Sequence, residues 1–326
     1  MDKKAANILK YLLSVVLAAV LVWIAFRGVD WPDFWDGLRQ TRGLYLVLYL
    51  VFALLALLFR EERWRCILHT LDPQLGRLDI WDANNVGNLV NIVLPGAGEF
   101  TRCGYVSSKR LGYDKSLGTA AAERVCDVAA ILVLLLLALV LEWGRIGSFF
   151  VERIWEPLAL RLGGGAGWYA ALLVLLLVSA ICAAWRLRGK IPFFGKVARA
   201  LQGIWTGFSS LARMERKGLF FIYTLAIWTM YVLMLWATVR AIPVLDHLGM
   251  ADVLFLSAVG NFASVIPVPG GIGAYHYLVA LSVQTLYGCS WESGILLATL
   301  GHELHAVLVL LLGIVSYLRL TLRKKK

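Results

Sequence analysis

Glu123, Arg124 and Asp127 stand in AAAERVCDVAAILVLLLL, at the head of a long apolar run. Spacings of three and four put Arg124 beside Asp127, and Glu123 beside Asp127, on neighbouring helix faces. Ionisable groups inside a membrane cost on the order of a few kcal/mol each, so they pair and mark pathways. The alternative is an interfacial salt bridge at a helix end, where water is close. Two carboxylates face one guanidinium, so full pairing needs a cation from elsewhere. Arg102 is the candidate. It follows Glu99 by three residues, and Glu99 itself follows a break: VGNLVNIVLPGAGEF begins as a short apolar helix and then bends at Pro95, Gly96 and Gly98.

A third polar group lies in GHELHAVLVLLLG, where His302, Glu303 and His305 interrupt another apolar run. The segment nearly spells H-E-x-x-H, with the second His one residue early. His302 and His305, three apart on a helix, could both reach one metal, but the sequence offers no third ligand, so no metal and no cofactor is assigned. A headgroup contact, a proton relay and a packed polar patch stay open. His276 joins the same candidates, just after a second break at Pro267, Pro269, Gly270, Gly271 and Gly273. Asn84, Asn85, Asn88, Asn91 and Asn261 serve either helix–helix hydrogen bonding or a cargo. No G-x-x-x-x-G-K-[ST] and no G-x-S-x-G is present, so neither a P-loop ATPase nor a serine hydrolase is indicated. No catalytic residues are assigned, and the chain is not read as an enzyme.

The elements that position these groups follow from composition. The 326 residues are 60% hydrophobic with mean hydropathy +0.73, far above a soluble domain. Expected spans, near the roughly 20 residues that cross a bilayer, are residues 8–26, 44–59, 117–141, 168–185, 219–239 and 295–318. Lys3 and Lys4 ahead of the first, with Lys10 at its start, suggest a signal peptide, but its length and the missing A-x-A site favour an uncleaved anchor. Residues 80–106 and 253–287 are apolar but broken in the middle. The net charge of +11 sits mostly in short loops and termini, where it sets topology and meets anionic headgroups; no nucleic-acid partner is implied. The five cysteines, Cys66, Cys103, Cys126, Cys182 and Cys289, form no CxxC pattern and indicate no disulfide framework.

Basic stretches at both termini, at 60–77, at 102–115 and at 185–217 read as cytoplasmic. The mixed-charge stretches 27–43, 142–167 and 241–252 read as outside. The first broken segment then enters and leaves from the inside, and the second dips from the opposite face. The two segments, VGNLVNIVLPGAGEF and VGNFASVIPVPGGIGAY, resemble one another, each opening on Val-Gly-Asn and reaching Pro-Gly and a further Gly. The expected fold is an all-α polytopic membrane protein of about six spanning helices plus two re-entrant broken-helix hairpins, arranged as an inverted repeat. Residues 1–326 form one integral membrane domain, with halves 1–141 and 168–318 and a basic cytoplasmic loop at 186–217. A kinked helix at Pro95 is the simpler alternative. Non-helical backbone at membrane depth is tolerated only where it is buried or lines water.

LPGAGEFTRCGYV, GYDKSLGTAAAERVCDVAAI and PVPGGIGAYHYLVALSV, in that order, resemble the lysylphosphatidylglycerol synthase transmembrane-region family over residues 8–318. That family includes the flippase half of the bacterial aminoacyl-phosphatidylglycerol synthase-flippases. By motif position, Glu99 and Arg102 match its first Gly-rich motif, and Glu123, Arg124 and Asp127 match its E-R-x-x-D. Two positions depart: Ala274, Tyr275 and His276 follow Gly273 where the family often has a Glu, and the last helix carries His302, Glu303 and His305 where an Arg is common. No counterpart of the soluble aminoacyl-transferase domain lies within these residues. The resemblance implies a flippase-like transporter of a polar-headgroup lipid in the inner membrane, with both termini cytoplasmic. Its expected partners are membrane lipids with anionic or phosphate-bearing headgroups, a second copy of the chain, and a separate synthase. An ion-coupled carrier of a small solute, or a subunit of membrane-lipid or lipid-linked glycan synthesis, are the alternatives.

Overall fold

The computed structural model describes residues 3–94, 96–108, 110–141, 143–144, 214–262, 268 and 271–323, with side chains from residue 15 onward except Phe262. The expected span at 168–185, nearly all of the 186–217 loop, and the break residues Pro95, Pro267, Pro269 and Gly270 lie outside them. The described residues hold ten α-helices and no strand. They are α1 (Lys3–Phe26), α2 (Trp31–Arg39), α3 (Gly43–Leu71), α4 (Arg77–Val93), α5 (Ala97–Val106), α6 (Tyr113–Leu141), α7 (Lys217–Ala241), α8 (Met250–Phe262), α9 (Ala274–Tyr287) and α10 (Trp291–Arg323). Of these α3, α6, α7 and α10 are long and apolar enough to cross a membrane, and α1 with α2, bent by 85°, makes a fifth candidate. The protein is an all-helical integral membrane protein.

Two stretches read as loops are helical. The 27–43 stretch contains α2, whose N-cap Asp30 accepts from the Asp33 N–H and whose first turn carries Pro32, both start signals. It exposes Trp31 and Trp35, as an interfacial helix does. The 60–77 stretch is mostly the continuation of α3. That helix has 29 residues, about 44 Å at the usual rise, so it outruns the roughly 30 Å hydrocarbon layer. Nothing in REERWRCILHTL breaks it, since no Gly or Pro occurs there. Arg60, Arg63 and Arg65 are therefore helix residues, and only Arg77, at the start of α4, follows a turn.

Each broken segment folds into two helices packed on one another, α4 on α5 and α8 on α9. In the first, α4 and α5 touch through backbone. A Cβ on Gly98 would sit 2.0 Å from the Gly87 carbonyl oxygen and 2.5 Å from the Asn91 side chain. Any side chain at 98 would force the two arms apart. The second break is held from outside. At Gly273 the φ is +83°, and a Cβ there would lie 2.6 Å from the backbone nitrogen of Val22 in α1.

The long helices order these hairpins. α3 and α7 run antiparallel: the Arg42 N–H donates to the Ala241 carbonyl (2.9 Å) at one end, and Ile67 packs with Phe220 at the other. At the first end, Arg42 also forks onto Asp246 (2.7 and 3.1 Å), a hydrogen bond that raises the guanidinium above its ordinary pKa. α4 and α5 begin and end at the far end, where Ser108 reaches Asp72 (3.3 Å). α8 and α9 begin and end at the near end, where Trp291 donates to the Ala25 carbonyl (2.9 Å) and Cys289 meets His247. Packing is reciprocal: α6, which follows the first hairpin, lies on α8, and α10, which follows the second, lies on α4. The outside is apolar, with Leu132, Val133, Leu136 and Val140 of α6 exposed, a face suited to lipid.

Candidate functional site

The reciprocal packing leaves a cavity of about 790 Å³ bounded by both hairpins and by α3, α6, α7 and α10, within the size range of ligand pockets. Asn91 and Glu99 reach it from the first hairpin, and Asn261 and Tyr275 from the second.

Behind its first wall lies a network of guanidiniums and carboxylates. Arg63 is buried and donates from Nε to Glu123 (3.1 Å) and through both terminal nitrogens to Asp127 (2.6 and 3.2 Å). Arg102, also buried, donates to Glu99 (2.7 Å), to Glu123 (2.9 Å) and to the side-chain Oδ1 of Asn84 (2.9 Å). Its guanidinium lies 4.3 Å over the Trp64 ring, whose Nε1 donates to Thr119 (2.9 Å). Arg124 pairs with Glu99 and stands 3.9 Å from Asp127. Charge-assisted forks of this kind are the strong hydrogen bonds of an interior. Three helices supply it: α3, α5 and α6.

Five of the nine binding residues expected from the sequence, Glu99, Arg102, Glu123, Arg124 and Asp127, meet in this one network, and Arg102 supplies an outside cation to Glu123. Sequence reading missed Arg63 and Arg60, because both were assigned to a topogenic loop. The available signal was the unbroken helical stretch FREERWR, which puts positions 60 and 63 on one face. Arg60 differs from its neighbours. It lines the cavity, and no carboxylate among the described residues lies within ion-pair distance of it. Four guanidiniums (Arg60, Arg63, Arg102, Arg124) thus face three carboxylates (Glu99, Glu123, Asp127), leaving one positive charge in surplus.

The other wall carries the histidines. His302 Nδ1 lies 3.0 Å from Glu303 Oε1, and His276 Nε2 lies 3.9 Å from the same oxygen. His302 lines the cavity, His276 is buried behind it, and Glu303 is half-exposed. His305, expected to join His302, lines the cavity separately. The companion of His302 is His276, with ring centroids 5.3 Å apart. At the described breaks, Gly96 and Gly271 both line the cavity.

The family model of the lysylphosphatidylglycerol synthase transmembrane region matches residues 11–313. The chain belongs to that family. The match takes in both hairpins, the charged network and the histidine cluster, so everything that builds the cavity is family territory. No curated protein and no solved structure matches the chain.

Proposed function

We propose that this chain moves a lipid with an anionic, phosphate-bearing headgroup between the two leaflets. Arg60 carries the reading. A half-buried guanidinium with no carboxylate to pair with among the described residues is costly unless water or an anion reaches it, and its planar fork suits phosphate oxygens. The other three arginines are occupied by carboxylates, so Arg60 is the one left to recognise cargo. Glu99 and Asp127, beside it, hold Arg124 and Arg63 back from competing. Val128, Ile131 and Ile227 give the same cavity apolar wall, against which acyl chain can lie while the headgroup stays among polar groups.

The two hairpins open toward opposite ends of the bundle, and the reciprocal contacts of α6 with α8 and of α10 with α4 support an inverted repeat with its site where the breaks meet. Arg65, Arg77, Lys217, Arg319 and Arg323 gather at one end, which on the positive-inside rule faces the cytoplasm. Residues 3 and 323 both lie there, in keeping with an inner-membrane protein whose termini are cytoplasmic.

The test is a leaflet-resolved assay in proteoliposomes with a headgroup-labelled anionic phospholipid and an impermeant quencher. The wild-type chain accelerates loss of protected label, and Arg60→Gln slows it at least tenfold while the protein stays monodisperse. Equal rates with and without protein discard the proposal. Uptake of free phosphate without lipid movement would replace it with a carrier of soluble anions.

A further inference from the structure

We propose that His276, His302 and Glu303 form a binding site for a divalent transition-metal ion of the zinc class. One donor atom from each residue lies within 4.8 Å of the other two. Glu303 Oε1 is the shared centre, 3.0 Å from His302 Nδ1 and 3.9 Å from His276 Nε2. Donors around a tetrahedral zinc stand about 3.3 Å apart, as its roughly 2.0–2.1 Å bonds require. A small rotation of the half-exposed Glu303 side chain, with a shift of the imidazole rings toward one another, closes the set.

A plain polar patch accounts for only part of this arrangement. His302 and Glu303 satisfy one another through a hydrogen bond. His276 gains nothing from that bond. It is only 2% exposed, its Nδ1 has no hydrogen-bond partner, and its Nε2 is too far from Glu303 to hydrogen-bond. Buried imidazole is seldom left unmatched. A metal ion at the Glu303 oxygen would take the Nε2 of that ring, leaving Nδ1 as it stands, and would bind all three residues at once.

The donor set also selects the ion. Two imidazoles and one carboxylate suit zinc and its first-row neighbours. Calcium and magnesium demand oxygen ligands, and no thiol among the described residues joins the cluster to favour a softer ion. The rings of Phe26, 5.5 Å from His276, and Tyr275, 5.7 Å from His302, shield the site with aromatic surface. Three protein donors leave a coordination position for water or an anionic oxygen, the pattern of open rather than purely structural sites. Because His302 lines the cavity, that position falls at the cavity's second wall. This inference stands on its own observations and does not rest on the lipid reading.

The experiment uses the full chain in detergent, with any affinity tag removed and metals stripped by chelator. Cobalt(II) is titrated and followed by its visible ligand-field absorption, then displaced with zinc. The expected result is saturation at one ion per chain. His276→Ala and Glu303→Gln weaken binding at least tenfold, and the exposed His247→Gln leaves it unchanged. Monodisperse elution and an unaltered thermal transition certify that the variants are folded. Glu303→Gln, isosteric and half-exposed, decides the matter if His276→Ala does not fold. Absence of saturable cobalt binding by the wild-type chain overturns the proposal. So does binding that survives Glu303→Gln undiminished, or binding lost with His247→Gln.

Discussion

The helices that follow the two hairpins sit in matching places and carry opposite chemistry. α6 meets the first hairpin with Glu123, Arg124 and Asp127, and every one of these charges has a partner. α10 meets the second with His302 and Glu303, and there the neighbouring His276 keeps an unmatched Nδ1. A saturated network is a brace. It resists change because removing one of its buried members breaks ion pairs that the interior cannot replace with water. A cluster that leaves a buried ring nitrogen unmatched, as His276 does, is the receptor of the two. The surplus guanidinium of Arg60 belongs to this second kind even though it lies beside the first.

The largest effect expected from that contrast is on stability. Arg102→Met removes the ion-pair partner that Glu99 and Glu123 share. Glu99 keeps Arg124 and Glu123 keeps Arg63, but breaking a buried ion pair by removing one partner costs about 3–5 kcal/mol, a large part of the total stability of a typical domain. The variant should elute largely aggregated or unfold far below the wild type in a fluorescence-detected thermal ramp. His276→Leu, in metal-free protein, should leave the transition near its wild-type position, because no hydrogen bond to His276 is lost. If His276→Leu proved the more damaging of the two, the division into brace and receptor would be reversed.

The breaks differ in the same sense. Gly98→Ala drives a methyl into the Gly87 carbonyl at 2.0 Å, and overpacking of this sort costs about 1–3 kcal/mol. At Gly271 the nearest atom to a new Cβ among the described residues is His302 Nε2 at 3.9 Å. Only its left-handed backbone, φ +76°, opposes alanine there, at about 1 kcal/mol. Thermal unfolding of the two variants side by side should rank Gly98→Ala well below Gly271→Ala. Comparable transitions would mean that the first hairpin is no tighter at its break than the second.

What the sequence made legible follows from locality. The two breaks were readable because Pro and Gly act on their own backbone, and the E-R-x-x-D cluster because three charges fell within five residues of an apolar run. Glu123 needed an outside cation by simple counting, and Arg102 answers that need. Arg63 was not readable. Its partners Glu123 and Asp127 lie 60 and 64 residues away, and an arginine near the end of a hydrophobic stretch looks the same whether it faces headgroups or a buried carboxylate. His276 with His302 was hidden for a related reason: the i, i+3 spacing of His302 and His305 suggested a pair within one helix, whereas the fold turns His302 toward α9. The loop at 27–43 concealed α2 because nine residues are too few for periodicity to declare itself, although Asp30 and Pro32 were the start signals.

The smallest effect tests how the first hairpin is pinned at its tip. The Gly98 N–H, in the first turn of α5, donates to Asn91 Oδ1 at 2.8 Å. The first N–H groups of a helix have no intrahelical acceptor, so a side chain from the opposing arm takes that role. Asn261 of the second hairpin donates its amide to the Ser257 carbonyl of its own helix, at 2.8 Å. Asn91→Ala should therefore cost about 1 kcal/mol, the usual worth of one such bond. It should also raise the reactivity of a cysteine placed at position 96 toward a membrane-impermeant maleimide, because the tip loosens. Asn91→Asp keeps the acceptor and should hold the tip closed. Equal labelling of the alanine variant and its parent would show that backbone contact between Gly87 and Gly98 alone clamps the hairpin.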